Sequence, residues 1–335
     1  MSEANFYLLF KHIKLHQANA ISSPLTYGFP AISGFVGAIH NLSRKMQQRY
    51  PDASLNGVLI ACHHYELQAY RPHRYADYTF KQTRNPLKKD GSNAPIIEEG
   101  KIHLDLHLVV EVMTTPDFQD TLANPEKSAE FTHYLGELLA QQRIAGGSVL
   151  AIPDVELFTP SASDKLLRSI QPAFVLIEAN QHLLAITKEL QTGIKHHIAN
   201  GEITMMKDEN KQPLSSFYMA NPNATELDAL LEIACLHHIP TQSEKKTEWN
   251  IHSAKQERGW LVPIPIGYQG IYPKFEAGEL QNCRSPHYPS QYVEVIYGLG
   301  QWVFPYHLKD RFSQYFWRYT HTQDNLFLFT QGDAQ

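Results

Sequence analysis

Six cations (Arg71, Arg74, Lys81, Arg84, Lys88 and Lys89) crowd into nineteen residues of a 335-residue chain, alongside a single acid, Asp77. Tyr70, Tyr75, Tyr78 and Phe80 interleave with them, and Asn85, Asp90-Gly91-Ser92 and Asn93 complete the run. Arginine and lysine neutralise phosphates and aromatic rings stack on unpaired bases, so this mixture suits single-stranded nucleic acid. It also suits a solvated surface hairpin. The stretch carries +5 in a chain of net charge −5, which leaves −10 on the rest: a basic limb on an acidic body.

Two other stretches have the chemistry to meet an anion. Residues 17–30, QANAISSPLTYGFP, make a connection longer than the usual 2–6 or so residues between elements. Ser22, Ser23 and Thr26 offer hydroxyls there, and Gly28, Gly34 and Gly37 thin the entry to a following helix, whose N-terminal N–H groups favour anions. A proline-fixed packed loop is the other reading. Further on, Gly146-Gly147-Ser148 follows Arg143. It reads either as the glycine stop of a helix or as a backbone nest for a phosphate.

The eighteen histidines invite a metal or acid–base reading. The adjacent pairs His63-His64, His196-His197 and His237-His238 point in different directions, and no HExxH occurs. His103, Asp105 and His107 share one face of a strand and could form a two-histidine, one-carboxylate set. The simpler reading, a polar face of an amphipathic strand, leaves no metal site. GxxxxGK[ST], GxGxxG and GxSxG are absent, so neither a cofactor nor a catalytic residue is expected. Three dispersed cysteines exclude a disulfide framework.

The elements that position these residues follow from periodicity. Residues 6–15 read as a strand, and Ser33 as the cap of a helix running to about residue 48 with Phe35, Val36, Ile39, Leu42 and Met46 on one face. Residues 57–70, which begin with the apolar run Val58 to Cys62, read as a buried strand. In residues 102–112, Ile102, Leu104, Leu106, Leu108, Val110 and Val112 alternate with polar neighbours, as in a half-buried strand. Asn124-Pro125 starts a second helix ending at the glycine pair, and residues 148–158 form a fourth strand. Strand, helix, strand, strand, helix, strand is the order of an α+β, ferredoxin-like (RRM-like) core. The limb, residues 71–99, then interrupts the second and third strands as a projecting thumb. Residues 1–178 form this core and 179–335 a mixed helix-and-strand region in which 241–255 read as a loop. No apolar run approaches the roughly 18 residues of a membrane span and no signal-peptide pattern opens the chain, so a cytoplasmic protein with no membrane partner is expected.

Long blocks of the sequence, NAISSPLTYGFPAISGFVGAIHNL, TRNPLKKDGS, IIEEG, AGGSVL, GWLVPIPIGY and GLGQW, occur in order between residues 19 and 302. In these the chain resembles the Cas-five-type (RAMP superfamily) subunit of the type I-F CRISPR surveillance complex, the Csy complex. The resemblance implies a non-catalytic subunit that grips the 5′ handle of the CRISPR RNA. It implies as partners the large subunit of that complex and the adjacent Cas-seven-type backbone subunit, and extends to target DNA near the PAM. It draws in Asn19, Ser22, Ser23, Tyr27 and Gly28 from the first block, Arg84, Asn85, Lys88 and Lys89 from the thumb, and Gly146, Gly147 and Ser148 from the glycine turn. Arg71, Arg74, Lys81 and Arg143 join them as neighbouring cations. Some Cas-five-type relatives mature guide RNA as metal-independent endoribonucleases. In such an enzyme His40 would be the general base, with Tyr27 or Lys45 beside it.

Overall fold

Alternating aliphatic residues build three long strands that carry everything else. The computed structural model describes residues 4–199, 201–243, 246–283 and 285–332. β1 (Phe6–Asn19) leads through the long loop into α1 (Ile32–Met46) and back into β2 (Ala53–Leu67). The limb follows as two short ladders, β3 (Ala69–Tyr70) with β4 (Thr79–Phe80) and β5 (Gln82–Arg84) with β6 (Ile96–Glu98). β7 (Lys101–Thr114), α2 (Pro116–Leu122), α3 (Pro125–Ala140), β8 (Arg143–Ile144), β9 (Gly147–Ala151) and β10 (Asp154–Phe158) complete this part. The strands lie in the order β2–β7–β1, with β9 and β10 both on the free side of β1, and every pairing is antiparallel.

The helices form where an apolar stripe can be buried. α1 buries Ile32, Phe35, Val36, Ile39, Leu42 and Met46. Because Ile32 belongs to that stripe, the helix starts ahead of the expected Ser33 cap. Ala31 is the N-cap, without a side-chain bond, and Ser33 lies inside the first turn with its hydroxyl 3.2 Å from that of Tyr268. Asn124 does cap α3, accepting from the Glu126 N–H at 2.9 Å. The expected helix end at Gly146-Gly147 is corrected. α3 stops at Ala140, and Ala145 (φ +48°) and Gly146 (φ +79°) form the tight turn of a β8–β9 hairpin. Two successive left-handed residues match the twist of a hairpin. The single strand expected over 148–158 is likewise two, broken at Ile152-Pro153, where proline lacks a ladder N–H.

After α4 (Ser163–Ser169), β11 (Phe174–Glu178) leads into a second compact unit, comprising Leu176–Ile264 and Tyr297–Val303. It holds α5 (Asn180–Thr192), β12 (His196–Ala199), β13 (Glu202–Met205), α6 (Glu226–Ala234), β14 (His237–Ser243) and β15 (Lys246–His252). Its core is Ile186, Ala229, Ile233, Leu261 and Leu299. Residues 241–255 are not simply a loop: most lie in the β14–β15 hairpin, whose polar, exposed faces hid it from a hydrophobicity reading.

β16 (Trp260–Gly270) and β17 (Val293–Val303) return the chain to the first unit, which also claims Pro265–Ile296 and everything from Phe304 on. Residues 179–335 are therefore not one region, and the first boundary falls after Val175. A 3-10 helix over Pro305–Tyr315 precedes β18 (Arg318–Gln323) and β19 (Leu326–Thr330). Its Phe312 meets the Tyr7 ring edge-on at 5.0 Å, and Phe316 stacks on the same ring at 5.3 Å. Trp317 pairs with Val58 of β2. A further correction concerns β7. The polar side of β7 is not a solvated face, because His107, Glu111 and Asp105 are only 0%, 4% and 7% exposed.

Candidate nucleic-acid interface

The long loop is laced by its own side chains. Asn19 closes on Ile21, accepting its N–H at 3.2 Å and donating to its carbonyl at 2.9 Å. Ser22 and Ser23 donate backbone N–H groups to the Thr26 carbonyl, and both hydroxyls lie 2.7 Å from the Thr26 hydroxyl. Ser23 Oγ also accepts the Leu25 and Thr26 N–H groups, so this buried serine shapes the loop. Gly28 has φ +121°, a conformation side chains disfavour, and donates to the Ala20 carbonyl at 2.8 Å. Nothing lies within 4 Å of where its Cβ would be, so the backbone there faces open space. Tyr27 is 63% exposed.

The glycine hairpin docks beside this loop. Asn19 donates its N–H to the Ala145 carbonyl at 2.9 Å. A Cβ on Gly34 would lie 2.9 Å from Ala145 Cα, and one on Gly147 would lie 2.9 Å from the backbone of Ala18. These two glycines let α1, β1 and the hairpin come together. Gly146 supplies the turn, with Asn19 Cβ 3.9 Å from where its own Cβ would be. Arg143 and Ser148 are exposed, and Ser148 pairs with both Arg143 and His16. The first turn of α1 holds no acid and no side-chain cap; Gly34 donates its N–H to the Ala31 carbonyl, and the positive dipole end with the two N–H groups before it suits an anion.

The loop also grips the base of the limb. Ala20 donates to the Gly100 carbonyl at 2.8 Å, and the Tyr27 ring meets Phe80 edge-on at 5.5 Å. Gly100 leaves no room for a Cβ, which would fall 2.5 Å from Ile21 Cγ1. Beyond this base, no residue of 71–99 is buried. Arg71 donates to the Ala76 carbonyl at 2.8 Å and lies 5.0 Å over the Tyr78 ring, while Arg74 lies over Tyr75. Lys81 donates to Gln68 at 2.7 Å. These three cations thus hold the limb's own shape as well as its charge.

Arg84, Lys88 and Lys89 differ from them. Among the described residues their side chains make no hydrogen bond or ion pair. They flank a turn in which Lys88 accepts the Gly91 N–H and Ser92 holds Asp90, whose carboxyl its hydroxyl and N–H draw below the usual range. The structure therefore gathers Asn19, Ser22, Ser23, Tyr27, Gly28, Gly146 and Gly147 at the limb's base. Arg84, Asn85, Lys88 and Lys89 lie on the limb beyond it, and among the described residues no hydrogen bond joins them to the loop. Sequence reasoning missed Ile21, Gly100 and Ala145. Only the Ala-Gly-Gly run, which suits a two-residue hairpin as well as a helix end, signalled the last.

The histidines on β7 have a structural task. β1 bulges twice, and at each bulge a positive-φ residue donates its N–H to a β7 histidine: His12 to His107 Nδ1 at 3.2 Å, Gln17 to His103 Nδ1 at 3.1 Å. Burial pushes His107 down to about 4 and lowers His103 as well, so both rings stay neutral acceptors. With Nδ1 so engaged, these two do not form a metal set with Asp105. His40 is exposed on α1, and among the described residues no hydrogen bond joins it to Tyr27 or Lys45.

Two comparisons place this arrangement. The model of a family described as CRISPR-associated protein (Cas_Csy2) matches residues 8–329. The CRISPR-associated protein Csy2 of Pseudomonas aeruginosa (strain UCBPP-PA14) is 33% identical over 321 residues, covering 89% of this chain and 87% of that protein. With a match running nearly end to end, the chain belongs to the Csy2 family of CRISPR-associated proteins.

Proposed function

We propose that the chain is a non-catalytic RNA-binding subunit of a type I-F Csy effector complex, gripping the 5′ handle of the CRISPR RNA. One observation carries this reading: the laced loop, the glycine hairpin and the uncapped end of α1 converge at the root of a limb whose outer cations are unpaired. Gly146 and the first two residues of α1 offer backbone N–H groups to phosphate, and Gly28, with no side chain and open space beside it, lets the strand approach the loop backbone. Tyr27 offers a ring face to a splayed base, the usual target in single-stranded RNA. Arg84, Lys88 and Lys89 neutralise phosphates further along the strand.

The fold supports the same reading. Counted in chain order, these strands lie fourth, first, third, second, with helices after the first and third, an order that supports a ferredoxin-like core within the larger sheet. On this reading residues 71–99 are the thumb of a Cas-five-type, RAMP-like core. The large subunit and the neighbouring Cas-seven-type subunit are its protein partners, with target DNA near the PAM close by. The acidic remainder of the chain is consistent with surfaces that meet protein rather than RNA.

The test is assembly of the complex on guide RNA across a salt series. Arg84→Ala with Lys88→Ala is expected to weaken assembly and to lower the salt slope by about 0.7 for each lost phosphate contact. An unchanged slope would overturn the thumb assignment. Incubation with precursor RNA tests the absence of catalysis: specific cleavage lost in His40→Ala would replace this reading with an endoribonuclease.

A further inference from the structure

The ladders on both sides of Asp105 slip close to it. On β1 the pairing with β7 runs to Phe10↔Leu108 and resumes at Ile13↔Leu106; on β2 it runs to Cys62↔Leu106 and resumes at His64↔Asp105. Within the first slip lies His12, at φ +48°, and the residue skipped by the second is His63. A bulge bends its strand and re-aims a side chain, and a non-glycine residue at positive φ is uncommon. Here two bulges on two strands turn two imidazoles onto one buried carboxylate between them. His12 Nδ1 lies 3.1 Å from Asp105 Oδ1, and His63 Nδ1 lies 3.8 Å from Asp105 Oδ2. His63 Nδ1 is buried and, among the described residues, has no hydrogen-bond partner.

We propose that His12, His63 and Asp105 bind one divalent transition-metal ion, zinc foremost. Their ligand atoms all lie within 4.8 Å of one another. Two zinc bonds of about 2.0–2.1 Å at the tetrahedral angle set their ligand atoms roughly 3.4 Å apart, and the two observed separations bracket that span. Two imidazoles and one carboxylate suit zinc, nickel or copper rather than magnesium or calcium, which take oxygen ligands. The neighbours fit supporting parts. Lys14 Nζ holds Asp105 Oδ2 at 2.5 Å, orienting the carboxylate, and His107 fixes the bulge by accepting the His12 N–H. Three protein ligands leave a fourth position for water.

The site differs from the His103, Asp105 and His107 set that alternation suggests, because a bulge is a property of register between strands. The test uses the full-length chain, stripped with a chelator and titrated with Co²⁺ and then Zn²⁺ by visible absorption and calorimetry. One ion per chain is expected, with affinity reduced at least about tenfold in His63→Gln and in His12→Gln and unchanged in the exposed neighbour His64→Gln. Asp105→Asn also removes the partner of Lys14, so the single histidine variants are the ones that decide. Absence of stoichiometric uptake, or uptake unaltered in the His12→Gln/His63→Gln double variant, would overturn the site.

Discussion

Arg318 and Glu111, 207 positions apart in sequence, form a buried two-point ion pair, Nε to Oε2 at 2.9 Å and a terminal nitrogen to Oε1 at 2.5 Å. The same carboxylate accepts the Gly57 N–H at 3.1 Å, and Arg318 also donates to the carbonyls of Ser313 and Gly332. One charge pair therefore fastens the C-terminal segment to β2 and β7. Removing one partner strands the other charge in a site that water barely reaches. Arg318→Ala is expected to destabilise the first unit by about 3–5 kcal/mol in chemical denaturation. A midpoint shift of less than about 1 kcal/mol would mean that the apolar cover of Tyr7, Phe312 and Phe316 suffices without the pair.

Two glycines of one helix should respond in opposite directions. At Gly34 an added methyl meets the Ala145 backbone at 2.9 Å, which neither α1 nor the hairpin can relieve without moving. Gly34→Ala should cost about 1–3 kcal/mol, as overpacking does. Gly37 has nothing within 4 Å, so Gly37→Ala only removes helix-interior flexibility and should stabilise by about 0.5–1 kcal/mol. Thermal unfolding of the pair checks both, and equal effects would contradict the close docking of the hairpin.

The legible parts of the fold were those governed by local pattern. The stripe of α1, the alternation along β7 and the Asn124-Pro125 start of α3 each depend on residues within a few turns, and each is where its pattern puts it. What stayed hidden depends on distant chain. Glu111 reads as solvated because its partner Arg318 arrives two hundred residues later, and His107 because the rings of His12 and His63 close on it from the neighbouring strands. Gly146-Gly147 fitted a helix end and a hairpin equally well, and only the left-handed Ala145 decides between them. At the candidate interface, composition exposed the cations of the limb. It could not reveal that Ser22, Ser23 and Thr26 bond chiefly to one another.

If the loop reads a base, Tyr27 acts through its ring rather than its hydroxyl. The ring is exposed and fixed from one side by Phe80, which leaves a face free for stacking. Tyr27→Ala should then weaken guide-RNA binding by about 1–3 kcal/mol, roughly 5- to 150-fold, while Tyr27→Phe stays near wild type. Equal losses in both variants would point instead to a hydrogen bond from the hydroxyl. No loss in either would remove Tyr27 from the interface.

The second unit should weaken in mild acid through His182. This residue sits in the first turn of α5, where burial, and secondarily the Arg258 guanidinium, hold its pKa below the ordinary 6.5. A positive charge there would also oppose the positive end of the helix dipole. The folded unit thus refuses a proton that the unfolded chain accepts near pH 6.5. The sign follows: stability is fully present above about pH 6.5, falls as pH drops below it, and levels off once the folded-state pKa is passed. Denaturation at pH 7.5, 6.5 and 5.5 measures the total slope, and its difference from His182→Gln isolates this residue from the other histidines. The variant should lose less stability than wild type between pH 7.5 and 5.5. Parallel slopes would show that His182 titrates normally, with its ring open to water.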